Sequence, residues 1–129
     1  PPSGGFALRQ TSWGGELHFD GVLAEYDGYK GEEHLGKPLT GAKQFLEKLN
    51  SVNLKWVVFT TRPRERVVKW FHEHQLPAPE EITNIKKPAP VYIDDRAIKF
   101  DGDFDKLIRD MKDFNVYWNQ DKIFEDYFP

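Results

Sequence analysis

The chain has no cysteine and a single methionine. Without thiols there are no disulfides, no cysteine nucleophile and no cysteine-ligated zinc, and a cytoplasmic location is expected. Long apolar runs are missing too. No stretch approaches the ~20 consecutive apolar residues that a membrane helix needs, so no membrane partner is expected. Nor does one sign of charge dominate: 18 Lys and Arg face 21 Asp and Glu, a net charge of −3. General nucleic-acid binding relies on a basic surface that displaces phosphate counterions, and this composition excludes it. Repeats and low-complexity segments are likewise absent.

Aromatic residues are plentiful, with 10 Phe, 5 Tyr and 4 Trp in 129 residues. That supply of large apolar side chains suits one core, and the length suits one domain. The opening PPSGGFALRQTSWGG is rich in Pro, Gly and Ser and lacks the apolar core of a signal peptide. It reads as a flexible arm or linker over residues 1–15. A domain over 16–118 is expected to follow. The aromatic tail over 119–129 then packs on the core or serves self-association.

Short β-rich apolar runs mark strands buried on both faces: LKWVVFT at 54–60 and VYI at 91–93. Weaker strand candidates are ELHF at 16–19, residues 82–85 and residues 116–118. Helical spacing lies between them. Ala42, Phe45, Leu46 and Leu49 form one apolar face, with Thr40 as expected N-cap and Asn50 as stop. Val67, Trp70, Phe71 and His74 form a second face on a helix starting near Pro63 and ended by Pro77 and Pro79. Phe104, Leu107, Ile108 and Met111 form a third, capped by Asp103. Alternating strands and helices predict an α/β fold, a three-layer α/β/α sandwich around a parallel sheet.

Ligands of such sheets bind beyond the carboxyl ends of the strands. After the first strand stand His18-Phe19-Asp20-Gly21, after the second Thr60-Thr61-Arg62, and after the strand at 91–93 Asp94-Asp95-Arg96. Lys86 and Lys87 precede that last strand. Taken singly, these are a turn, a helix cap, a solvated charge pair and another turn. Taken together, they place carboxylates, a hydroxyl and a lysine at one sheet edge. Adjacent carboxylates repel unless a cation neutralises them, and their oxygens suit Mg²⁺. Lysine and threonine suit the oxygens of a phosphate. The set reads as a phosphate-plus-magnesium site.

HFDGV (18–22), VVFTTRP (57–63), Lys86-Lys87-Pro88 and YIDDRAI (92–98) together resemble the four motifs of the haloacid-dehalogenase (HAD) superfamily. Those motifs are DxDG, a Thr or Ser, a Lys and a late acidic pair. The likeness runs from about residue 16 to about residue 118, and is greatest to small capless members of bacterial or phage kind. It implies a Rossmannoid phosphatase or nucleotidase without a cap domain, using Mg²⁺ and a small phosphorylated substrate such as a nucleotide. By position, Asp20 would be the general acid/base, with its carbonyl on the metal. Thr60 would hold the phosphoryl group, as would the motif lysine, Lys86 or alternatively Lys87. Asp94 and Asp95 would complete the metal shell. Thr61, Arg62 and His34 are further substrate-binding candidates, with Tyr26 and Lys30 in the same loop as His34.

One position departs from the pattern. The family's nucleophile is the first Asp of DxDG, and here it is His18. Imidazole is a poor ligand for magnesium, and it replaces both the attacking oxygen and a metal ligand. Impaired turnover is therefore expected, the alternative being an inactive domain kept for binding, structure or regulation. A phosphoacceptor receiver domain uses similar residues but carries its acidic pair at the first strand.

Overall fold

The structure, a computed structural model, describes residues 12–128. Most of the expected arm therefore lies outside the described residues. The chain divides into two compact units, Pro1–Ile93 and Asp94–Pro129.

The first unit is built on strands β1 (Ser12–His18), β2 (Leu54–Phe59), β3 (Glu81–Thr83) and β4 (Tyr92–Ile93). They form one sheet in the order β3-β2-β1-β4, every neighbouring pair parallel. β1 corrects the sequence reading, which assigned strand only to 16–19 and set residues 12–15 aside with the arm. Gly15 explains the error. Its φ is 150°, and a Cβ there would lie 2.5 Å from the carbonyl oxygen of Val91. Only glycine lets the neighbouring backbone approach so closely, and the β1–β2 register shifts between Trp13 and Gly15. β3 covers 81–83 rather than 82–85, and β4 is one residue shorter than the apolar run that announced it.

Helices α1 (Ala42–Ser51) and α2 (Arg64–Glu73) connect β1 to β2 and β2 to β3. The two crossovers step the same way along the sheet, so right-handed connections put both helices on one face. The core agrees. Leu17, paired with Val58, and Val58, paired with Ile82, share a face by register. They cluster with Phe19 and Trp56, with Ala42 and Leu46 of α1, and with Val67, Trp70 and Phe71 of α2. Phe19 is fully buried and meets Trp70 edge-on at 4.8 Å. The expected faces need three corrections. Phe45 stays 41% exposed, His74 lies one residue beyond α2, and the N-cap of α1 is Gly41 instead of Thr40.

On the sheet's second face stand Glu16, Val57, His18 and Phe59, alternating with the core residues as a strand requires. Glu16 is buried, and its carboxylate accepts the Lys87 amide at 2.8 Å. That bond and one from the Trp13 indole to the Pro88 carbonyl (2.9 Å) tie the segment before β4 to β1.

The second unit contains α3 (Phe104–Asp113) and a 3₁₀ turn, Glu125–Tyr127. Asp103 caps α3 as expected, its carboxylate accepting the Lys106 amide at 3.0 Å. Its apolar face is not enclosed as predicted: no residue of α3 is buried, and Phe104 is 70% exposed. So short a segment has too little surface of its own to surround a helix. The strand expected at 116–118 is a single bridge between Val116 and Asn119.

Candidate functional site

β1 ends at His18, and the chain continues through Phe19 into a tight turn. The Phe19 amide donates to the Phe59 carbonyl at 3.1 Å, extending the β1–β2 ladder by one step. The Phe19 carbonyl in turn accepts the amides of Leu23 and Ala24 at 3.0 and 3.1 Å. This turn holds Asp20 at the carboxyl edge of the sheet. One strand over, the Thr60 amide donates to the Thr83 carbonyl at 2.9 Å, and its hydroxyl accepts the Arg62 amide at 3.0 Å. Thr60 is buried. Asp20 and Thr60 thus stand after adjacent central strands, where the motif reading expected them.

Arg62 dominates this edge. Its Nε donates to Asp20 Oδ2 at 2.9 Å and its Nη2 to Asp20 Oδ1 at 3.2 Å. This is a two-point pair in which the side chains are only 6% (Arg62) and 19% (Asp20) exposed. Its Nη1 donates to the carbonyls of Gly31 (2.8 Å) and Glu32 (3.4 Å). The Tyr29 ring lies 5.9 Å from the guanidinium carbon. Sequence reasoning placed Arg62 among substrate contacts. Here its donors serve Asp20 and the loop, and both oxygens of the expected acid/base are occupied. An arginine directly before the proline that opens a helix was the available signal, but nothing in the sequence named its partner.

His18 is the last residue of β1. Its ring stacks on Phe59 with centroids 5.6 Å apart, and its Nδ1 lies 3.3 Å from the Asp20 carbonyl oxygen. The lysines are engaged on the second face. Lys86 Nζ sits 4.4 Å above the Tyr92 ring, and Lys87 Nζ pairs with Glu81 at 3.4 Å. Thr61 and His34 are exposed, and Lys30 pairs with Asp27 at 3.1 Å.

Asp94 and Asp95 follow β4 directly in the chain and belong to the second unit. Asp94 Oδ1 accepts the Arg96 amide at 3.0 Å, and Asp95 Oδ2 accepts the Trp118 indole at 2.6 Å. The Arg96 guanidinium lies 5.3 Å from the centre of the same indole. Burial pushes the Asp95 carboxyl above its usual range and the neighbouring Asp94 adds to this, while the indole N–H opposes it.

These donors can be tested against Mg²⁺, which demands hard oxygen ligands in near-octahedral array. Asp94 and Asp95 offer adjacent carboxylate oxygens, and a cation would relieve the charge that burial disfavours at Asp95. This pair fits. His18 offers nitrogen and does not fit, and the Asp20 carboxylate already answers a guanidinium, which leaves its backbone carbonyl as the hard oxygen expected of it. No family model, curated protein or solved structure matches the chain.

Proposed function

We propose that the chain is a HAD-like domain of the Mg²⁺-dependent phosphohydrolase kind, a three-layer α/β/α sandwich without a cap, with turnover lost at position 18. Its ligand is a small phosphorylated molecule, a nucleotide among the candidates. The observation that carries this reading is the sheet order β3-β2-β1-β4 with Asp20 and Thr60 after its two central strands. Connections leave β1 toward β2 and return past it to β4, so the strand order reverses between β1 and β4. Open α/β sheets bind ligands at such a reversal. In this reading Thr60 and a motif lysine hold the phosphoryl oxygens, and Asp94 and Asp95 hold the metal, which supplies charge neutralisation when bound. Asp94 and Asp95 join the reading through chain order and oxygen chemistry.

A second reading, a domain kept for binding or assembly alone, draws on the Arg62–Asp20 pair. A carboxylate with both oxygens accepting from a guanidinium is poorly placed to protonate a leaving group. One experiment separates the readings: hydrolysis of p-nitrophenyl phosphate and of nucleoside monophosphates with Mg²⁺, for this chain and for His18→Asp. Losing a covalent nucleophile removes roughly three or more orders of magnitude in rate. The parent chain should therefore show no turnover above buffer, and the variant should regain measurable turnover. Inactivity of both proteins favours the binding domain. Equal activity of both refutes the role given to position 18.

A further inference from the structure

Residues 25–37 form a loop of the first unit that is closed at its neck. The Glu25 amide donates to the Lys37 carbonyl at 2.8 Å, and the Trp70 indole donates to the Gly36 carbonyl at 2.7 Å. Farther out, two arginines reach the loop from the start of α2. Arg66 pairs with Glu33, both side chains being solvated (42% and 73% exposed), and such pairs contribute little. Arg62 differs in kind. Its guanidinium is buried, and its four hydrogen bonds join two Asp20 oxygens to the carbonyls of Gly31 and Glu32. One planar group therefore connects three chain segments: the turn after β1, the loop tip and the start of α2.

A guanidinium is a rigid fork, so fixing two of its nitrogens on a carboxylate fixes where the third points. With Asp20 charged, Nη1 is aimed at Gly31 and Glu32. Without that carboxylate the buried guanidinium loses its counterion. It then gains by turning toward solvent, which takes its donors away from the loop. We propose that Arg62 is a positioning residue that latches the 25–37 loop to Asp20, so that the loop stays closed beside the carboxyl edge only while the two-point Arg62–Asp20 pair is intact. Loop opening then becomes an entry step for any ligand of that edge. The latch requires no hydrolysis, and it stands or falls separately from the phosphohydrolase reading.

Trypsin reads the latch directly, because Lys30 stands at the loop tip next to Gly31. The initial cleavage rate after Lys30 is measured on the full chain under native conditions by mass spectrometry, and is divided by the rate after Lys48 on α1. Asp20→Asn and Arg62→Ala should each raise this ratio about tenfold, as expected when a local closure is lost while the rest of the fold persists. The double variant should rise no further than the larger single, because both substitutions remove one coupled unit. Arg62→Lys keeps the charge without the fork and should give an intermediate ratio, and it serves with Asp20→Asn if Arg62→Ala does not fold. The proposal is overturned if Asp20→Asn leaves the ratio at the parent value. It is equally overturned if the Lys30 and Lys48 rates rise in proportion, which would mean general destabilisation.

Discussion

Gly36 closes the neck of the 25–37 loop, and replacing it with alanine tests how tightly the neck is built. A Cβ at this position would stand 2.0 Å from the carbonyl oxygen of Glu25 and 2.9 Å from its carbonyl carbon. The obstacle is backbone, so no side-chain rotation relieves it. The two segments must separate by roughly an ångström before ordinary contact is restored. That movement breaks the Glu25–Lys37 bond and pulls the Gly36 carbonyl away from the Trp70 indole. Forced overpacking costs about 1–3 kcal/mol. Each lost hydrogen bond adds about 0.5–1.5 kcal/mol, and a buried indole N–H left without its acceptor adds more. The expected loss is about 3–5 kcal/mol, a large part of the ~5–15 kcal/mol that typical domains possess. For a unit of this size that lowers the melting midpoint by at least about 12 °C. Thermal melts followed by circular dichroism and by tryptophan fluorescence measure it. A Gly36→Ala protein melting within about 2 °C of the parent would show that the neck does not close through these bonds.

Two further outcomes follow from the same coordinates. Phe19→Ala empties a fully buried site against Trp70 and Phe71 and should cost about 3–5 kcal/mol in urea unfolding with an unchanged m-value; a loss below about 1 kcal/mol would contradict the core described. Asp95 carries a carboxyl raised above its unfolded value by burial and by Asp94, so its contribution to stability is complete below the unfolded pKa of about 3.9 and is lost as pH rises through the folded pKa. Asp95→Asn in metal-free buffer should therefore gain stability relative to the parent on going from pH 3.5 to pH 7, and a pH-independent difference between their midpoints would refute the assignment.

The parts of the fold that could be read in the sequence are those fixed by local pattern. β2 was legible because Trp56, Val57 and Val58 are buried together and so form an unbroken apolar run. α2 was legible because Val67, Trp70 and Phe71 keep helical spacing and all reach the core. β1 was not, since its Trp-Gly-Gly stretch has poor strand propensity. Gly14 answers to β2 at Leu54 and Lys55, and Gly15 to the Val91 carbonyl, partners far away in the chain. The face of α3 misled for a different reason. Periodicity tells which side of a helix is apolar, but the presence of a partner to cover it depends on the rest of the unit. At the candidate site, the positions of Asp20 and Thr60 followed from placing strand ends. The commitment of Arg62 did not, because an ion pair across 42 residues leaves no local trace.

Residue types alone describe two sites of opposite capability. An aspartate, a threonine and an arginine at a sheet edge serve phosphate chemistry when the arginine faces the ligand and the aspartate is free to move a proton. Here the arginine faces the aspartate, and the same three residues form a closed structural joint. The two arrangements differ by one rotation of a side chain within a low-dielectric edge, where each charge must answer to some partner. Position 18 bears on which arrangement holds. A carboxylate there, at the end of β1 and two residues before Asp20, would add a second negative charge for Arg62 or a divalent cation to satisfy. His18 adds none of that demand and instead stacks on Phe59 with Nδ1 beside the Asp20 carbonyl. Asp20 thereby becomes the counterion that Arg62 retains. Closure of the latch thus goes with the absence of a second negative charge at position 18.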